Sequence, residues 1–278
     1  MSGGEEPAGC PSRPGAAKAG AGTVVFIGLS LPAARARALL PGAAILPPAG
    51  QGDLYRAVRD LRPVAVGLVD GAFLDRGAVW HREILWALSE GVRVLGAASM
   101  GALRCAQTHR FGMEPVGKIA AAFIAGRYRP YEEPFGDEDE VAVEHSPAEL
   151  GSLPLSDAMV DLRETLAAAE AAGVLGRAAR DELCASQKRL HYPHRSLSRL
   201  AEAAPDLAGA EGAAFAAWAR RPGNAVRQKR RDAEALLARL AAGPAPAPAN
   251  PGFRFERTVF WERFRAYADV ADALGGRP

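Results

Sequence analysis

The chain has only three cysteines, Cys10, Cys105 and Cys184, far apart and without a C-x-x-C pair. An odd, scattered set argues against a disulfide framework and against a cysteine-built zinc site, and no metal site is expected. No apolar run approaches the ~20 residues of a membrane span, although 49% of the 278 residues are hydrophobic. A sizeable core is therefore expected and no membrane association. G-x-G-x-x-G and Walker loops are both missing, so nucleotide binding has no support and no cofactor is expected. Residues 1–22 are rich in Gly, Pro and Ala without an apolar stretch, which reads as a disordered tail rather than a signal peptide. The expected location is cytoplasmic. Nucleic acid is rejected as a partner. The net charge is only +2, and Arg227-Gln228-Lys229-Arg230-Arg231 lacks interleaved aromatics and reads as a solvated helix face.

What is present is a repeated alternation. Thr23 to Ile27, Ala43 to Leu46, Val64 to Val69 and Val92 to Leu95 are short apolar runs of strand type. Helical stretches separate them at Ala33 to Leu40, Leu54 to Leu61 and Ala78 to Glu90. Apolar runs this short and continuous suit strands buried on both faces, and the alternation implies a parallel sheet with right-handed crossovers. Ligands of such sheets collect outside the carboxyl ends of the strands. That rim would bring together Gly28 to Ser30, Pro47 to Asp53, Asp70 to Phe73, Gly96 to Gly101 and, from the first turn of its helix, His81.

The sharpest local feature is V-R-V-L-G-A-A-S-M-G-A-L-R, residues 92–104. A strand stops on small residues and turns into a helix, leaving Ser99 on the turn and the first helical amides aimed above it. The pattern is close to the G-x-S-x-G elbow of serine hydrolases, with Ala97 replacing the first glycine and Gly101 allowing close approach. Ser99 is a candidate nucleophile, oxyanion-hole or anion-site residue, or simply an N-cap. Asp53 is placed to cap its helix, and Asp70 before Gly71 suits a turn.

Downstream, Lys118 to Arg127 reads as a helix, Asp137 to Glu140 as an acidic run that is solvated or, alternatively, holds Mg²⁺, and Val141 to His145 as a further strand. Helices then dominate: Ser156 to Ala172, Gly176 to Leu190, Ser196 to Ala203, Gly209 to Ala219 and Ala225 to Ala242. Residues 23–150 hold 13 Lys and Arg against 15 Asp and Glu, and residues 151–278 hold 19 against 15. The expected fold is α/β, an open, mostly parallel Rossmann-like sheet followed by an all-helical C-terminal region. Its divisions are a tail (1–22), a core (23–150), a helical region (151–242), a Pro/Ala linker (243–252) and a C-terminal aromatic segment (253–278). Phe253, Phe260, Trp261, Phe264 and Tyr267 of that segment are expected to dock onto the core.

Several blocks resemble the TfuA family. They are Gly28 to Leu31, Pro47-Pro48 with Gly52 to Leu54, Gly67 to Gly71 with Phe73, Val79 to Leu85, Gly96 to Arg104, Phe111 to Met113, and Asp139 to Val143 with His145. They run in unbroken order across about residues 23–150. The chain departs from the family pattern at Ala98, where serine is usual. The resemblance implies an accessory protein of YcaO-family enzymes, which install sulfur in a peptide backbone to give a thioamide. It implies two partners, a YcaO-family enzyme and a ThiS-like sulfur carrier whose thiocarboxylate is hydrolysed to deliver sulfide. In that chemistry Ser99 would be central, with His81 as general base and Asp70 orienting it. Ser30, Asp53, Met100, Gly101 and Arg104 would bind the substrate or its oxyanion. The alternative is a non-catalytic scaffold that binds and activates YcaO.

Overall fold

The computed structural model describes residues 22–72, 77–146, 153–243 and 252–273. Phe73, the tail except Gly22, and nearly all of the Pro/Ala linker lie outside them. Five strands form one sheet: β1 (Thr23–Phe26), β2 (Ala44–Leu46), β3 (Ala65–Leu68), β4 (Arg93–Gly96) and β5 (Glu114–Pro115). Every pairing is parallel, in the order β2-β1-β3-β4-β5. The expected α/β class holds. The fifth strand was not expected; at two residues it carries too little pattern to read. The anticipated strand at Val141 to His145 is instead a loop that carries one isolated bridge, His145–Pro154.

The crossover helices are α1 (Ala33–Leu39), α2 (Asp53–Leu61), α3 (His81–Ser89) and α4 (Met100–Thr108), followed by α5 (Gly117–Ala125). One sheet face carries α2 to α5, packing Val24, Val66 and Val94 against Leu54, Ile84, Ala102 and Ile119. The helical region consists of α6 (Met159–Ala171), α7 (Arg177–Lys188), α8 (Leu197–Ala219) and α9 (Gln228–Ala241). Inside α8, Ala208 and Gly209 leave helical geometry, so its two parts correspond to the two helices read in the sequence.

Helix α9 crosses the expected division at residue 150. Its Ala233, Leu236, Leu237 and Leu240 pack with Val25, Ile27 and Leu95 on the second sheet face. Gly67 makes room for it, because a Cβ there would come within 2.7 Å of Leu236. The start of α9 also corrects the solvated reading of its basic run. Gln228 and Lys229 are buried, and only Arg227, Arg230 and Arg231 face water.

The acidic run is solvated only in its first half, Asp137 and Glu138. The Glu140 carboxylate takes a bidentate pair from Arg163 at 2.8 and 2.9 Å, both side chains being buried. Asp139 pairs with Arg195 and Lys188. The last helix, α10 (Val259–Ala273), docks on α2 and α3. Trp261 is fully buried among Tyr55, Trp80, Trp86 and Phe264, as the internal reading requires. Phe260 and Tyr267, at 71% and 69% exposed, lie on the flank of the helix that faces water, against the expectation that they dock. Among the described residues no helix is long and apolar enough to cross a membrane.

Candidate functional site

The strand order places the topological switch between β1 and β3, where the connections after these strands diverge to opposite faces. Asp70, fully buried after β3, organises this point. Its Oδ2 accepts the N–H groups of Gly28, Leu29 and Ser30 at 2.8–2.9 Å, and its Oδ1 accepts the Ser30 hydroxyl. Four donors from the β1–α1 loop thus hold both oxygens, and none comes from His81. Asp70 and Ser30 are brought together as a loop clamp.

Further along the rim, the tight turn between β4 and α4 differs in detail from a G-x-S-x-G elbow. The residue in the left-handed region is Ala98, at φ 63°, and Ser99 follows as the N-cap at φ −118°. The turn demands one residue of positive φ between strand and helix, and Ala98 supplies it at the ordinary cost of a Cβ there. Ser99 occupies the N-cap position, yet its side chain makes no capping hydrogen bond. It is half-buried, with its hydroxyl unbonded among the described residues. The N–H groups of Ala98 and Met100 also find no acceptor among those residues.

Gly101 corrects its expected role twice. Its N–H donates to Val69 O at 3.2 Å, which removes it from the oxyanion donors. A Cβ on it would overlap the Leu68 carbonyl, so the glycine serves the contact of α4 with β3 rather than substrate approach. The Met100 side chain is buried against Gly71, leaving only its amide available.

His81 begins α3 on the exposed rim. Partial burial first, then Arg104 and Arg82, lower its pKa below the ordinary imidazole value. It is therefore neutral at pH 7 and able to take a proton. Arg104 is half-buried, its Nε donating to Val79 O at 2.6 Å and its Nη1 to Gln107 at 2.9 Å. Asp53 does not cap α2 as expected. Gly52, at φ 90°, is the N-cap, and Asp53 reaches back to Gly50 N–H at 2.7 Å while pairing with Arg56.

Two buried groups were missed by the sequence reading. Glu83 accepts the N–H groups of Gly52, Tyr55 and Trp80, tying the starts of α2 and α3, and burial raises its pKa to about 7. Lys229 was placed on a solvated face. Its spacing to Ala233, Leu236 and Leu240 puts it on the buried stripe of α9, a signal the sequence did contain. Among the described residues no His, Cys, Asp and Glu group could hold a metal ion.

No curated protein matches the chain. A family model described as TfuA-like protein matches residues 70–196. The match contains Asp70, His81, Ser99, Met100, Gly101 and Arg104 and leaves out Ser30 and Asp53. It also extends through α6 and α7, where the resemblance read in the sequence had stopped near His145. The match supports the resemblance to the TfuA-like family read in the sequence, over this stretch of the chain.

Proposed function

We propose that this protein hydrolyses the thiocarboxylate of a ThiS-like carrier and hands the sulfide to a YcaO-family enzyme. The family match supports the coarser part, involvement in thioamide-forming YcaO systems. The finer part rests on one observation. The unbonded Ser99 hydroxyl lies next to the unengaged amides of Ala98 and Met100 at the mouth of a parallel sheet.

In this reading the Ser99 oxygen attacks the carrier's terminal carbonyl carbon, and the two amides receive the tetrahedral oxyanion. Hydrosulfide leaves as an ester forms on Ser99. Water then cleaves that ester, returning the carrier carboxylate and the serine hydroxyl. His81, neutral and exposed, takes the proton from the attacking oxygen. Arg104 supplies positive charge beside His81 for the anionic carrier terminus. Asp70 shapes the neighbouring loop and does not orient the base.

A second reading, a scaffold that docks on YcaO, is favoured by the apolar residues Phe260, Tyr267 and Val270, which α10 leaves exposed. The two are separated by incubating purified protein with thiocarboxylated carrier and measuring sulfide and carrier mass. Hydrolysis predicts sulfide together with a carrier mass change from thiocarboxylate to carboxylate, both lost in Ser99→Ala. An unchanged carrier mass in the presence of the parent protein would leave only the scaffold.

A further inference from the structure

A cavity of about 330 Å³ opens at the β1 side of the switch point, lined by Ser30, Ala158, Asp161, Ser196, Arg227 and Lys229 among others. Ala158, Ser196 and Arg227 are the N-cap residues of α6, α8 and α9. Three helices, α8 counted only as far as its break at Ala208, therefore direct their positive ends to one space.

The side chains reinforce this. Lys229 is only 4% exposed, and its ammonium makes one hydrogen bond, to Val141 O at 2.7 Å. Its other two protons have no acceptor among the described residues. Asp161 and Asp70 lie near enough to favour its charge without hydrogen-bonding its ammonium. Asp157 pairs with Arg227 and caps α8 through Leu197 N–H, and Asp161 takes the backbone N–H of Lys229. A buried ammonium left with unused donors is costly unless an acceptor enters.

We propose that this cavity binds an oxyanion, a phosphate or a terminal carboxylate, through Lys229 Nζ and the half-exposed Arg227, with the helix N-termini behind them. The site is built from other elements than the Ser99 turn, and its existence does not depend on the hydrolytic reading.

The test uses the full chain at constant ionic strength. Inorganic phosphate, and separately a short peptide as C-terminal free acid or as amide, are titrated by calorimetry. Saturable binding of phosphate or of the free acid is expected, about tenfold weaker in Lys229→Met. The better of the two probes identifies the source of the oxyanion. Arg227→Gln, at the mouth of the cavity, gives the same reading if Lys229→Met fails to fold. Binding of neither probe, or equal binding by parent and variants, would overturn the proposal.

Discussion

The sheet and the helical region both bury their interiors, but with different chemistry. Around β1, β3 and β4 the buried side chains are mostly Val, Ile, Leu and Ala. In the helical region Arg163, Arg180 and Arg195 rank among the largest fully buried side chains, each held by carboxylates. Hydrophobic burial is non-directional, so the sheet tolerates any well-packed apolar set. A buried guanidinium depends on particular partners, and removing one leaves the other uncompensated. The helical region is therefore more specified and more fragile to single changes of charge.

The largest expected effect tests that contrast directly. Arg163→Met should cost about 3 kcal/mol, because the buried Glu140 loses its bidentate partner and keeps, among the described residues, only Lys188 at 3.0 Å. Adding Glu140→Leu should restore part of the loss, as measured by urea unfolding. If the double variant is no more stable than the single one, the fragility does not come from the under-compensated charge.

In the sheet half the counterpart is steric. Gly101→Ala should cost about 3 kcal/mol, since the new methyl overlaps the Leu68 carbonyl oxygen, which cannot rotate away. Gly91→Ala is the control. Unlike Gly101, Gly91 has a positive φ, 80°, but nothing lies within 4 Å of its would-be Cβ, so only about 1 kcal/mol is expected. Equal melting temperatures for the two variants would contradict the close contact of α4 with β3.

Glu83 breaks the contrast, being a buried charge in the sheet half. Its pKa, raised from 4.5 to about 7, means that the folded state holds a proton which the unfolded chain has released. The linked stability is complete below pH ~4.5 and is lost as pH rises through about 7, amounting to roughly 3 kcal/mol. Urea midpoints should fall over this window in the parent and stay flatter in Glu83→Gln. Parallel slopes would assign the pH dependence to other groups.

These differences track what the sequence reveals. Four of the five strands and their crossover helices were legible, because continuous apolar runs and 3.6-residue periodicity report burial directly. Strand β5, with two residues, carried no such pattern. The pairs Glu140–Arg163 and Asp139–Arg195 join residues 23 and 56 apart, and a charge in a sequence does not announce a distant partner. Lys229 was masked by its basic neighbours, although its register on α9 placed it with the leucines. At the site, the turn around Ser99 was legible as small residues between strand and helix. The positive φ at Ala98 rather than Ser99 was not, because the pattern G-A-A-S-M-G allows either residue to occupy the bend.

The smallest expected effect on stability concerns Ser99, and its smallness is informative. An N-cap serine that bonds a helical amide contributes about 1 kcal/mol. Ser99 makes no such bond, so Ser99→Ala should leave the urea midpoint nearly unchanged, within about 0.5 kcal/mol. Sulfide release from thiocarboxylated carrier should nevertheless disappear. The pH profile of the parent supplies the partner of this result. Release should rise with pH through a midpoint below the 6.5 of a free imidazole, because burial and the two arginines lower the His81 pKa. His81→Asn should remove that limb. A Ser99→Ala variant that loses stability but keeps releasing sulfide would return this residue to a structural cap, whatever the pH profile shows.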